Sequence, residues 1–154
     1  MLYLRQHKED GSYDNTRYLE YLRGIDPFLT PDLKDLSSLA RARFGGAATM
    51  YDSYISGYNL HYDTPVIVRG NQRRLDLTLT LTGRWDDRLF HIRYLDVTAH
   101  ASQQPVDRLG RLYIAELAIV DGTFRHEIDF HNGHFVVECS SLSFEEELLE
   151  KKSP

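Results

Sequence analysis

Cysteine is almost missing from this 154-residue chain. Cys139 stands alone, so no internal disulfide can form and a reducing compartment is expected. Proline is sparse and tryptophan occurs once, as Trp85. No apolar run approaches the length that crosses a membrane as a helix. The opening Met1-Leu2-Tyr3-Leu4-Arg5 turns charged too soon to be the core of a secretory leader. There is no excess of positive charge either. The formal net charge is −5, which argues against non-specific nucleic-acid binding, a property that needs a basic stripe. That charge fits ordinary solubility, and it also fits a preference for a basic partner. The sequence has no phosphate-cradling glycine motif, no His-Glu-x-x-His pair and no nucleophile elbow. These absences lead us to expect a cytoplasmic protein with no cofactor, no metal ion and no catalytic residue.

What is present is strand. From Tyr113 to Ser141 the sequence reads as three strands joined by two tight turns, Asp121-Gly122 and Asn132-Gly133. Two-residue loops dictate register. The first turn sets Ile119 opposite Phe124, Leu117 opposite His126, Ala115 opposite Ile128 and Tyr113 opposite Phe130. The second sets Phe130 opposite Phe135, Ile128 opposite Val137 and His126 opposite Cys139. Both registers agree on one apolar face. Leu75, Leu77, Leu79 and Leu81 alternate with polar residues, as a half-buried strand does. Tyr54–Tyr62 and Leu89–Ala99 read as further strands. The apolar phase of the latter switches near Tyr94-Leu95, which predicts a β-bulge there. Pro65 predicts an interruption or a sheet edge.

Ahead of the strands, Asn15–Arg23 reads as a short helix stopped by Gly24. A second helix starts at Thr30-Pro31-Asp32 and carries Leu33, Leu36, Leu39 and Ala40 at helical spacing up to Gly45-Gly46. His100–Gly110 reads as a long loop. Ser143 with Glu146 forms a capping-box pattern that predicts a short C-terminal helix or a charged tail. The expected fold is one α+β domain over residues 1–154. Residues 1–50 are mainly helical, 51–142 form an antiparallel β-meander with the helices packed on one face, and 143–154 form the short helix or tail.

Three groups of residues carry candidate chemistry. On the face opposite the apolar one, Glu116, Glu127 and Glu138 fall in one row, with β-carbons about 5 Å apart, and Asp129 lies nearby. Such a row needs a compensating cation, for which Arg125 is placed diagonally, or a basic partner. Asp129, His131 and His134 surround the second turn and have the donor types of a divalent-metal site, or simply those of an exposed hairpin tip. His126 and Cys139 share the apolar face, either as a nucleophilic dyad or as a buried satisfied histidine beside a buried thiol. Among the aromatics, Tyr51, Tyr54 and Tyr58 with Tyr62 make a cluster suited to an interface. Trp85, between Arg84 and Asp86, is either a binding hot spot or folded under its own hairpin. Arg69, Arg73 and Arg74 make one small basic patch.

The segments Tyr18-Leu19-Glu20-Tyr21-Leu22-Arg23, Met50-Tyr51-Asp52-Ser53-Tyr54-Ile55, Leu112-Tyr113-x-x-Glu116 and Phe124-Arg125-His126-Glu127-Ile128 occur in that order. With them the chain resembles a group of small bacterial proteins placed among the immunity proteins of polymorphic toxin systems, such as those beside Rhs-type toxins. It carries Tyr51-Asp52 where the group has His-Asp. The resemblance implies binding and neutralising a cognate toxin inside the producing cell, and a basic, nuclease-like toxin would suit the acidic row. The residues expected at the interface are Glu116, Glu127, Asp129, Glu138, Tyr51, Tyr54, Tyr58 and Trp85. Two other readings are a metal-assisted hydrolase or modification-reversing enzyme built on Asp129, His131 and His134, and a scaffolding subunit that pairs through a leftover sheet edge.

Overall fold

The computed structural model describes residues 1–6, 10, 13–38, 41, 49–62 and 74–150. Leu39, Ala40, Phe44, Gly45-Gly46, Pro65, Arg69 and Arg73 lie outside them. The chain begins with two short paired strands, β1 (Arg5–Gln6) and β2 (Tyr13–Asp14). Helices α1 (Thr16–Ile25) and α2 (Pro31–Ser37) follow. Six strands then form one antiparallel sheet: β3 (Tyr54–Tyr62), β4 (Leu75–Thr82), β5 (Arg88–Ser102), β6 (Leu112–Val120), β7 (Thr123–Phe130) and β8 (Gly133–Leu148). The class is α+β, as expected. The sheet order is β3-β4-β5-β8-β7-β6, so two three-stranded meanders meet where the two longest strands, β5 and β8, pair.

The sheet coils far enough for its two edges to touch. Tyr54 at the start of β3 bridges Arg111, just ahead of β6. The Leu112 N–H donates to the Ser53 carbonyl at 2.7 Å, and the Asp52 N–H donates to the Leu112 carbonyl at 2.8 Å. Inside this curl lies one core. Leu77, Leu79 and Leu81 of β4 alternate into it, and Phe90, Ile92, Ile128, Phe135 and Val137 join from the neighbouring strands. Leu29, Leu33 and Leu36 close it from the α2 side. The Asp32 carboxylate ties α2 to β8 by accepting the Phe144 N–H at 2.9 Å. Thr30 occupies the N-cap position but makes no side-chain capping bond; its hydroxyl turns to Asp32.

Along the β6 edge, α1 does what a further strand would do. The Tyr18 hydroxyl accepts the Leu117 N–H at 2.8 Å, and the Tyr21 hydroxyl accepts the Ile119 N–H at 2.6 Å. Satisfying outward backbone donors with side chains blunts an edge against unwanted pairing.

The first hairpin has the expected register at Ile119–Phe124, Leu117–His126 and Ala115–Ile128. Asp121 and Gly122 both have positive φ (51° and 76°), as a type I′ turn requires. A bulge at Tyr113 then puts Leu112, not Tyr113, opposite Phe130. The second hairpin departs by two residues: Phe130 pairs with Gly133, Ile128 with Phe135 and His126 with Val137. Its loop is His131-Asn132, and neither Asn132 nor Gly133 has positive φ. The neighbouring segment holds this loop, with the Asn132 N–H on the Leu109 carbonyl (3.0 Å) and the His131 N–H on the Arg111 carbonyl (2.9 Å). A β-carbon on Gly133 would lie 3.0 Å from Leu109 Cδ2, so that glycine serves close approach rather than turn geometry.

Three further expectations are corrected. The β5 bulge falls between Val97 and Ala99 instead of at Tyr94-Leu95, next to Asp96 with φ 54°. The segment His100–Gly110 is only partly loop, because β5 runs to Ser102 and Val106–Arg108 forms a 3₁₀ turn. Ser143–Leu148 is not helical. It is the far end of β8, paired with β5 up to Arg88–Leu148.

Candidate functional site

The acidic row is not a water-facing surface. Glu116 and Glu127 are cross-strand neighbours, as the first hairpin requires, but they are only 1% and 3% exposed. The chain's own first residues lie over them. The Glu116 carboxylate accepts the backbone N–H groups of Leu2, Tyr3 and Leu4 at 2.8, 3.0 and 2.7 Å. The Met1 ammonium lies 2.7 Å from Glu127 Oε2, and the Arg125 guanidinium takes Oε1. Tyr3 stacks on Tyr21 of α1 with ring centroids 3.9 Å apart. Burial raises the Glu127 carboxyl, and the Met1 ammonium and Arg125 together outweigh it, holding the group below the usual carboxylate range. Glu138 is not opposite Glu127, because the two-residue register change sets it across from Arg125, which donates to it at 2.5 Å. The compensating cations expected of such a row are therefore Arg125 and the amino terminus, and the open row of three glutamates is withdrawn.

The other polar candidates separate. Asp129 and His134 are hydrogen-bonded cross-strand partners. His131 points elsewhere, against the ring of Tyr113 at 5.8 Å. Among the described residues no group of three or more His, Cys, Asp or Glu side chains could hold a metal ion. His126 meets Tyr94 instead of Cys139: its Nδ1 and the Tyr94 hydroxyl are 2.7 Å apart. Burial pushes the imidazole down to about 4 and the Cys139 thiol up to about 12, the reverse of what an activated thiolate needs.

Of the aromatic candidates, Tyr51 is buried and Tyr58 is half-buried with its ring edge-on to Phe135, so neither stands out from the surface as Trp85 does. Tyr54 and Trp85 come together with residues the sequence did not single out. Trp85 is 64% exposed at the tip of the turn between β4 and β5, which removes the alternative of a ring folded under its hairpin. The Arg84 guanidinium lies over its ring, 4.8 Å from the centroid, and reaches Asp52 Oδ2 at 3.4 Å. Arg111 stacks on Tyr54 at 5.3 Å and donates to the Asp52 carbonyl at 2.8 Å. The Tyr54 hydroxyl donates to Asp86 at 3.2 Å. Asp52 and Asp86 both hold positive φ (66° and 52°), a conformation that concentrates at functional sites. Three chain segments thus build one arginine–aromatic patch.

An acidic border adjoins it. The Leu149 N–H donates to the Asp87 carbonyl at 2.8 Å, which lays the end of β8, with exposed Glu145, Glu147 and Glu150, beside the Trp85 turn. Sequence reasoning missed Arg111 because its contact with Tyr54 depends on the edges of the sheet meeting. It missed the acidic border because the capping-box pattern pointed to a helix.

No protein-family model matches the chain, and no curated protein matches it significantly. No helix among the described residues is long and apolar enough to cross a membrane.

Proposed function

We propose that this chain is a binding protein of the immunity type, which neutralises a protein toxin inside the producing cell by occluding it, with Trp85 as the anchor. The observation that carries this reading is the exposure of Trp85 on a turn whose neighbours are already fixed. Tryptophan and arginine are the residues most enriched among binding hot spots, and a preorganised anchor loses little entropy on docking. Two exposed cation–π pairs, at about 0.5–1 kcal/mol each, help hold the patch in place before a partner arrives. Glu145, Glu147 and Glu150 on the border, with the net charge of −5, favour encounter with a basic toxin such as a nuclease. Glu116 and Glu127 lie beneath the amino-terminal residues and are not offered to a partner.

The test is calorimetric titration against the purified, inactivated product of the adjoining gene. Trp85→Ala should weaken binding by about 30-fold or more, the factor that corresponds to a hot spot of about 2 kcal/mol. Its thermal midpoint should stay close to that of the parent, because the ring makes little packing contact. Unchanged nanomolar affinity would move the docking site elsewhere, and the absence of any complex would retire the immunity reading.

A further inference from the structure

The outer face of the sheet, turned away from the core, carries a cavity of about 260 Å³ near the start of β4. Register places two rows of side chains on that face. One is Asn59, Thr78, Arg93 and Ser143, and the other is His61 with Asp76. Arg93 sets the charge of the cavity. Of the three arginines in the six-stranded sheet, Arg88 and Arg125 each hold two carboxylates. Arg93 holds none and makes no side-chain hydrogen bond among the described residues. The same is true of Asn59, His61 and Thr78, although Thr80 and His91 on this face do bond each other, at 3.3 Å. Three carboxylates stand near. Asp76 is taken, because Arg74 donates to both its oxygens at 2.9 and 3.3 Å. Asp96 accepts the Ser140 hydroxyl at 2.8 Å. Glu145, opposite His91, lies diagonal to Arg93 and forms no ion pair with it.

We propose that this cavity binds a small phosphate monoester, with the phosphoryl group seated on the Arg93 guanidinium. Arginine brings a rigid fork of donors that matches two oxygens of a phosphoryl group. Asn59, His61 and Thr78 can donate beside it from the two neighbouring strands. That surplus of donors selects the ligand class. A carboxylate has two oxygens in one plane, and one arginine satisfies both. A phosphoryl group is tetrahedral, so a further oxygen remains for Thr78 and Asn59 once the fork is met. The cavity is smaller than the roughly 300–1,000 Å³ of pockets for drug-sized ligands, which limits the alcohol part of the ester. The net charge of −5 repels anions at long range, but within a Debye length of about 10 Å the unpaired Arg93 and the neutralised Asp76 set the local field. The cavity sits at the opposite end of β4 from the Trp85 turn, and this proposal does not rest on that patch.

The test is an NMR titration of the isotope-labelled full chain at constant pH and ionic strength. The probes are inorganic phosphate, glycerol phosphate, glycerol and acetate, each taken to about 20 mM, beyond the millimolar Kd of a weak specific site. The amides of Thr78 and Arg93 should shift and saturate with both phosphates, and not with glycerol or acetate. Glycerol phosphate should bind about threefold tighter than inorganic phosphate, because its carbons fill more of the cavity. Arg93→Gln should weaken the monoester by about tenfold or more, and Arg93→Lys should restore only part, since an ammonium lacks the fork. Thr78→Val keeps the shape and should weaken it by about threefold, as the loss of one neutral hydrogen bond does. Arg93 is exposed, so its variants should melt with the parent and the lost affinity reads the cavity alone. The proposal is overturned by shifts that never saturate, by binding that Arg93→Gln leaves intact, by acetate binding as tightly as the monoester, or by a monoester that binds no tighter than inorganic phosphate.

Discussion

The Tyr94 hydroxyl sits 2.7 Å from Nδ1 of His126, where both side chains are fully enclosed by the core. Burial favours the uncharged forms of both, so the imidazole stays neutral down to about 4 and the phenol stays protonated well above its ordinary range. A buried histidine that keeps a hydrogen-bond partner is a satisfied core residue, and its main physical consequence is a pH dependence of stability.

That dependence has a definite sign. Unfolded, the imidazole takes up a proton below about 6.5; folded, it does so only below about 4. Between the two the unfolded state binds more protons, so stability falls as pH falls, by about 3 kcal/mol across the window. Glu127 adds to the decline at lower pH. Its folded carboxyl titrates below the usual value, so its contribution is present above about 4.5 and is lost as pH drops through that lower value. Urea unfolding followed by circular dichroism at pH 7, 5.5 and 4.5 should show this slope, and His126→Gln should flatten it above pH 4.5. Equal slopes for parent and variant would mean that the ring is not held neutral in the fold.

A second expectation concerns the amino-terminal residues. One carboxylate collecting three consecutive backbone N–H groups is a strong arrangement, because each bond is charge-assisted. Glu116→Gln should cost about 1.5–3 kcal/mol. It should also make the amides of Leu2, Tyr3 and Leu4 exchange at nearly the unprotected rate, while those of the β7–β8 hairpin stay slow. Amide hydrogen exchange distinguishes this from general destabilisation, in which all these amides would speed up together. Glu127→Arg should be worse tolerated than Glu127→Gln, because it places a cation beside Arg125 and the Met1 ammonium.

How much of this was legible beforehand follows from which interactions are local. The type I′ turn at Asp121-Gly122 is a property of two residues, and its hairpin register was readable from them. At Asn132-Gly133 the same kind of signal misled, because Leu109 needs the space at Gly133 and the backbone at Leu109 and Arg111 holds the loop. The alternation from Leu75 to Leu81 revealed β4, since a strand with one wet face writes its pattern directly. The pairing of Glu116 with Glu127 was readable too. Their covering was not, because the amino-terminal residues that lie over them are more than a hundred positions away in the chain, and only Arg125 is a local partner. Likewise, Trp85 could be noticed as unusual, but Arg111 over Tyr54 becomes visible only once the sheet has curled.

The end of β8 shows what replaces the missing C-terminal helix, and it carries the last prediction. Glu146 lies between two buried arginines, accepting from Arg88 at 2.5 Å and from Arg41 at 2.7 Å. Arg41 also packs over the rings of Phe90 and Phe144, at 5.8 and 5.4 Å, and pairs with Asp35, while Arg88 pairs with Asp87. This one carboxylate therefore links the segment after α2 to both long strands. Burial pushes the Glu146 carboxyl up, and the two guanidinium groups more than reverse this. Glu146→Gln keeps the shape but removes the shared carboxylate, leaving each arginine with one acidic partner, Asp35 or Asp87. A broken buried pair costs about 3 kcal/mol, which is about 6–12 °C in melting temperature for a chain of this size. Glu145→Gln and Glu147→Gln, on the exposed side of the same strand, should change the midpoint by less than about 2 °C, as surface substitutions do. If β8 were helical here, Glu146 would owe its effect to capping at Ser143, and Ser143→Ala would match its loss. In the strand, Ser143 is exposed, and Ser143→Ala should be nearly silent.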